Sequence, residues 1–148
     1  VKVRLRMVLL YYHAELHNLL TLRAYSKTEL SVGFFVRYGD SAADIAPLAP
    51  LYKTQVRVLA SYLGVPDEII ARPPSPDILP GLTDEQAMEI DYDMLDRILW
   101  RLELGLDTEA ITAELHLPPG RVQYVEKLVD RSRYLRAMPH APELDKLQ

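Results

Sequence analysis

Apolar residues recur at helical spacing along most of this chain and alternate at strand spacing almost nowhere. Met7, Leu10, Tyr11, Ala14 and the Leu16–Leu19 turn predict an amphipathic helix over 3–18. Leu19 to Leu22 then predicts a short buried strand. Further on, Glu29 to Phe35 predicts an amphipathic helix, Tyr38 to Ala42 a polar turn, and Asp44 to Leu48 a second short buried strand. LYKTQVRVLASYLG at 51–64 predicts a helix with Val56, Leu59, Ala60 and Leu63 inward and Gly64 at its C-cap. Val65 to Ala71 adds a short helix with Pro66 early, where proline is tolerated. RPPSPDILPGLTDE at 72–85 holds four of the eleven prolines, cannot continue a helix, and is expected to loop over a site. Three helices follow over Tyr92 to Glu103, Thr108 to Leu115 and Pro119 to about Ala137, with Thr108 capping the second and Pro118-Pro119 opening the third. The last pair has the cadence of a helix-turn-helix, with Ala110, Ile111, Leu115, Leu117, Val122 and Val125 as a small core. The fold class expected is α/β, mostly helical here, with the two short strands extending a parallel sheet.

Charge changes this picture at one place. Between Glu29 and Val56 the groups Glu29, Arg37, Asp40, Asp44 and Lys53 lie among Phe34, Phe35, Ile45, Pro47 and Leu48. Charges in such a setting need a partner or a ligand wherever the segment is buried, and are unremarkable wherever it is solvated. Strand-to-helix junctions in open α/β sheets place ligands at the strand's carboxyl end, which puts a nucleotide near RAYSKTE at 23–29. Arg4 and Arg6 diverge by about 200° on a helix, so only one of them faces a given site.

The net charge of −4 conceals an asymmetry. Residues 1–37 carry six Lys/Arg against two Asp/Glu, and the remainder eleven against nineteen. The basic end suits phosphates, while so acidic a whole speaks against general nucleic-acid binding. Six carboxylates between Asp84 and Asp96 read as a solvated acidic helix start. At 148 residues, 49% apolar and 26% charged, the chain can build one modest core. Opening on Val1 and a helix-like run, it is expected to be part of a longer protein. No run approaches the roughly 20 apolar residues of a membrane span, and a cytoplasmic location is expected. With no cysteine, thiol catalysis and zinc–thiolate sites are excluded. His13 and His17 have a metal-compatible spacing but lack the carboxylate of an HExxH helix.

Several motifs occur in one order: RLRM at 4–7, FFVRYGD at 34–40 followed by Asp44, LYKTQV at 51–56, LGVPDEII at 63–70, PPS at 73–75, TDE at 83–85 and YDMLDRIL at 92–99. Together they resemble the C-terminal part of the ammonia-dependent NAD synthetases, from about Lys2 to Pro139. The resemblance implies an adenine-nucleotide alpha-hydrolase-like, Rossmann-like parallel sheet, with a sheet-and-site part at about 1–80 and a helical tail at about 90–138. It implies that ATP adenylates deamido-NAD and ammonia displaces AMP to give NAD, in a cytoplasmic homodimer. Residue by residue, it assigns Arg4, Arg37 and Asp44 to deamido-NAD, Lys53 and Ser75 to ATP, and Glu29 to Mg²⁺. No catalytic residue is assigned within the chain.

The departures from that family are local. Its Gly-Thr-Gly-Asn-x-Ser-Glu is replaced by Arg23, Ala24, Tyr25 and Ser26 before Lys27, Thr28 and the retained Glu29. Gly-Gly becomes Ser41-Ala42, Gln becomes Leu82, and His-Lys-Arg becomes Tyr134, Leu135 and Arg136. The family's phosphate loop, Ser-Gly-Gly-x-Asp-Ser, is not in these 148 residues, and neither is a GxxxxGK[ST] or GxGxxG pattern. The chain alone is therefore expected to be inactive, with a noncatalytic or repurposed nucleotide-binding or interaction remnant, or a DNA-binding helix-turn-helix, as the rival readings.

Overall fold

The computed structural model describes residues 1–78, 80–137 and 139, so the end of the helical tail expected at about 138 lies outside the described residues. Eight helices appear among the described residues: α1 (Lys2–His17), α2 (Lys27–Val32), α3 (Lys53–Tyr62), α4 (Asp67–Ile70), α5 (Asp84–Met88), α6 (Tyr92–Glu103), α7 (Thr108–Leu115) and α8 (Pro119–Arg136).

Local chemistry sets most of the boundaries. Asp91 opens α6 by accepting the Met94 N–H at 2.7 Å. At α7 the cap is Asp107, which accepts the Ala110 N–H at 2.8 Å; Thr108, expected there, lies one residue inside and donates its hydroxyl to Glu126. Pro118 and Pro119 open α8 as expected. Beyond α3, Gly64 takes φ +75° while the Gly64 and Val65 N–H groups bond back to Ser61 and Ala60 carbonyls, which satisfies the helix's last acceptors.

The core is built on α6, whose Tyr92, Leu95, Ile98 and Leu99 are buried against Ile111 and Leu115 of α7 and Val122 and Val125 of α8. Each fully buried Leu or Ile contributes about 1.5–3 kcal/mol relative to exposure. Ala110, expected in this core, is exposed. Helix α8 also lies along α2, where the Ser132 hydroxyl donates to the Ser31 carbonyl at 2.6 Å. The two terminal helices are thus packed into the same body as the segment around Glu29.

The two expected strands reduce, among the described residues, to one parallel bridge between Leu22 and Ile45. Arg23 N–H donates to the Ile45 carbonyl at 2.9 Å, and Ile45 N–H to Thr21 at 3.1 Å. Leu19, Leu20, Leu22 and Ile45 are exposed. A strand needs a ladder along at least one flank, and among the described residues the pairing does not extend beyond this bridge. Leu63 likewise points outward, and Leu5, Val8, Leu9, Tyr12 and Leu16 leave α1 with an exposed apolar side. No helix among the described residues is long and apolar enough to cross a membrane.

Candidate functional site

Short helix α2 starts with a reciprocal cap. The Ser26 N–H and hydroxyl both donate to Glu29 Oε2, at 2.5 and 2.6 Å, and Glu29 N–H returns a bond to the Ser26 hydroxyl. One carboxylate oxygen of Glu29 is thereby fixed. The other, Oε1, lies 2.9 Å from Lys53 Nζ and 3.4 Å from the Tyr92 hydroxyl.

Lys53 is placed there by its backbone. Its N–H donates to the Thr28 hydroxyl at 2.8 Å, and Thr28 in turn donates to Asp96. Asp96 also accepts the Thr54 N–H at 2.8 Å, so one carboxylate from α6 ties α2 to the first turn of α3. Asp96 is 5% exposed, and desolvation raises its pKa against the lowering effect of those bonds.

Tyr92 completes the cluster. Its ring is fully buried, its hydroxyl donates to Asp84 Oδ2 at 2.8 Å, and Lys53 and Arg57 lie over its ring at 5.1 and 5.6 Å. Asp84 is 5% exposed, and its Oδ1 is buried with no hydrogen-bond partner among the described residues. Burial raises the Asp84 pKa, opposed by the Tyr92 hydrogen bond and the charge of Lys53. Burial and the two carboxylates push the Tyr92 hydroxyl far above its ordinary value, so it remains a donor. The solvated reading of the 84–96 carboxylates thus fails for Asp84 and Asp96, because their partners lie on other elements.

Glu29 and Asp84 of this cluster border a cavity of about 460 Å³ whose wall also includes Phe34, Ser75, Arg23 and Asp40. Ser75, Pro76 and Ile78 of the proline-rich segment form one side, as expected from its prolines. Ser75 donates to the Leu82 carbonyl at 2.8 Å, Asp84 N–H bonds the Pro74 carbonyl, and Asp77 pairs with Arg6 at 2.6 Å and Lys2 at 3.7 Å, pinning the loop to α1.

Of the residues singled out from the sequence, Glu29, Asp40 and Ser75 line this cavity, and Lys53 reaches it only through its 2.9 Å contact with Glu29. Arg4 and Arg37 meet at a second corner, where Arg4 Nε donates to the Arg37 carbonyl at 3.2 Å. The Arg37 guanidinium reaches the end of α8, donating to the Ala137 and Tyr134 carbonyls at 2.7 and 3.4 Å, with the Tyr38 and Tyr134 rings at 4.9 and 5.4 Å. Asp44 joins neither group. Its Oδ2 accepts the Thr21 N–H and hydroxyl, each at 2.7 Å, and these bonds hold its pKa below the ordinary value.

Sequence reasoning missed Asp84, Tyr92, Asp96 and Arg23. Only the Ser-x-x-Glu and Thr-x-x-Gln caps at 26–29 and 83–86 were locally readable. Among the described residues no group of three or more His, Asp or Glu side chains could hold a metal ion. Two adjacent carboxylates, one with an orphaned buried oxygen, nonetheless suit a hard divalent ion that takes its remaining ligands from water and phosphate.

A family model described as NAD synthase matches residues 1–139. The NH(3)-dependent NAD(+) synthetase of Thermococcus sibiricus is 46% identical over 142 residues, covering 95% of this chain and 56% of that protein. That of Methanocaldococcus jannaschii is 42% identical over 144 residues, covering 97% and 56%. This chain therefore spans about half the length of the curated relatives it matches. Among solved structures, an NMN synthetase from Francisella tularensis is similar with a TM-score of 0.77 and 33% identity, over 95% of this chain and 54% of the other. The NH3-dependent NAD synthetase from Campylobacter jejuni is similar with a TM-score of 0.72 and 26% identity, over 95% and 52%. With these matches running over nearly its whole length, this chain belongs to the NAD synthase family.

Proposed function

We propose that this chain forms the C-terminal part of an ATP-dependent amidating enzyme that converts deamido-NAD to NAD with ammonia as the nitrogen donor. The observation that carries the reading is the Glu29, Lys53, Asp84 and Tyr92 cluster, in which two carboxylates line one cavity and a lysine pairs with one of them from behind. In the reaction the nicotinate carboxylate attacks the α-phosphorus of ATP and pyrophosphate leaves. Ammonia then adds to the adenylated carbonyl, AMP departs, and a proton is lost to give the amide. Both steps depend on position and on positive charge near phosphate oxygens.

Lys53 supplies such a charge from a fixed backbone, and Ser75 offers a hydroxyl on the loop side. Glu29, with Asp84 beside it, would hold Mg²⁺, which when bound neutralises charge on the phosphates. Arg4 and Arg37 form the acceptor corner. Arg37 uses two of its N–H groups on α8, leaving others of its five donors for an acidic ligand. Asp44, held by Thr21, is assigned to the acceptor on the resemblance alone. The 148-residue chain is not expected to turn over by itself. Homodimerisation is supported by the exposed apolar side of α1, which a second copy would cover.

A second acceptor, nicotinate mononucleotide, is supported by the likeness to the Francisella NMN synthetase. To test both, the full-length protein and the 148-residue chain are each incubated with Mg·ATP, ammonium and either acceptor, and AMP and amide are quantified by chromatography. The reading expects equal amounts of AMP and amide from the full-length protein and none from the isolated chain. ATP consumption without amide, or turnover by the isolated chain, would count against it.

A further inference from the structure

Arg23 follows directly on the bridged residue Leu22, and its N–H bond to Ile45 fixes it at the carboxyl end of the extended segment. That is where α/β folds expose side chains to ligands. The Arg23 side chain is only 14% exposed, yet it borders both the main cavity and a neighbouring one of about 420 Å³. Its guanidinium lies 5.3 Å from the Tyr25 ring.

The contacts of that guanidinium are long. Asp40 Oδ2 lies at 3.2 Å and the Gly39 carbonyl at 3.4 Å, whereas well-formed charge-assisted bonds run at about 2.7–2.9 Å. Asp40 itself is held in place, because its other oxygen accepts the Val36 N–H at 2.5 Å, and its side chain is 43% exposed. Lys53, by contrast, is committed to Glu29 at 2.9 Å. Arg23 is thus the loosely paired cation of a cavity whose other charged walls, Glu29, Asp40 and Asp84, are acidic. Its planar fork matches a phosphate better than one long contact to a carboxylate.

We propose that Arg23 is an anion-receiving residue, whose guanidinium leaves Asp40 to take a phosphate group of a nucleotide entering the cavity. This rests on the reading that the cavity takes a nucleotide. No bond is made or broken; one ion pair is exchanged for another.

The test is calorimetric binding of pyrophosphate, AMP and nicotinate mononucleotide, each run separately, to the full-length protein and to its R23Q, R23K and D40N variants. R23Q is expected to weaken the bound anion by roughly tenfold to a hundredfold, the range set by lost charge-assisted hydrogen bonds. R23K should retain part of the affinity. D40N should bind several-fold tighter, since its amide oxygen still caps Val36 while the competing charge is gone. The nucleotide that loses affinity in R23Q identifies whose phosphate is received. Equal binding by wild type and R23Q, weaker binding by D40N, or no binding of any probe would overturn the assignment. Arg23-dependent pyrophosphate binding without binding of either nucleotide would keep the Arg23 assignment and sink the nucleotide reading instead. Circular dichroism of each variant checks folding, and R23K carries the test if R23Q does not fold.

Discussion

The Lys53 backbone N–H and the Thr28 hydroxyl are joined at 2.8 Å, and this bond aims the lysine side chain at Glu29 one residue further along α2. Because Thr28 also donates to Asp96, the aim of Lys53 is set from the buried core. Thr28→Val keeps the shape but leaves the part-buried Lys53 N–H without its partner and the buried Asp96 carboxylate with one hydrogen bond fewer, keeping only the Thr54 N–H. Such losses cost about 1–3 kcal/mol each, so urea denaturation should show a clearly lowered midpoint with an unchanged slope.

Tyr92→Phe removes one hydroxyl and nothing else. Asp84 then has no side-chain hydrogen bond among those described, and Glu29 loses its 3.4 Å neighbour. Stability should fall by about 1–3 kcal/mol. Binding of Mn²⁺ as a Mg²⁺ substitute, followed by electron paramagnetic resonance, should weaken; unchanged Mn²⁺ affinity would detach Tyr92 from the carboxylate pair.

Helix α2 ends on Gly33 at φ +74°, with α8 against it. A Cβ there would lie 3.0 Å from both the Ser132 Cβ and the Leu135 Cδ1. Gly33→Ala therefore meets a left-handed backbone cost of about 1–2 kcal/mol in addition to the clash. Thermal unfolding should show a loss larger than that of Gly64→Ala, where φ is similarly positive but no atom lies within 4 Å.

How much of this was legible from sequence varied with the range of the interaction. Helix α6 was readable because Tyr92, Leu95, Ile98 and Leu99 repeat at helical spacing and all four meet the core. The strands were not, because extended structure depends on neighbours, and among the described residues only Leu22 and Ile45 pair. Asp96 looked solvated among its acidic neighbours; its partner Thr28 is 68 residues away, which no local pattern reports. Glu29 and Lys53 stood out among five charges between 29 and 56, and they meet directly at 2.9 Å; the Tyr92 and Asp84 that extend the cluster read locally only as a helix residue and part of an acidic run.

Two carboxylates should respond to pH in opposite senses. The bonds from Thr21 lower the Asp44 pKa, so its contribution to stability is present above the ordinary value of 3.8 and is lost as pH falls through the lowered one. Burial raises the Asp96 pKa, so its contribution is fully present below 3.8 and is lost as pH rises through the raised value. Denaturation midpoints measured across the acid range should lose the first slope in Asp44→Asn and the second in Asp96→Asn. Slopes that survive the substitutions would contradict the assignment.

The Arg37 bonds to the carbonyls of Tyr134 and Ala137 hold the last turn of α8 against the 34–40 segment. Arg37→Ala should speed amide hydrogen exchange at 134–137 while leaving the buried middle of α8, around Val122 and Val125, protected. Faster exchange along the whole helix would mean that Arg37 supports the core and not the helix end.

The proposed reaction activates a nicotinate carboxylate as an adenylate and then amidates it. It is tested most directly by giving the full-length protein deamido-NAD labelled with ¹⁸O in that carboxylate, together with Mg·ATP and ammonium, and weighing the products by mass spectrometry. Adenylation followed by amidation leaves one labelled oxygen in the AMP phosphate and the other in the amide of NAD. Label in inorganic phosphate, or AMP that carries no label, would contradict it.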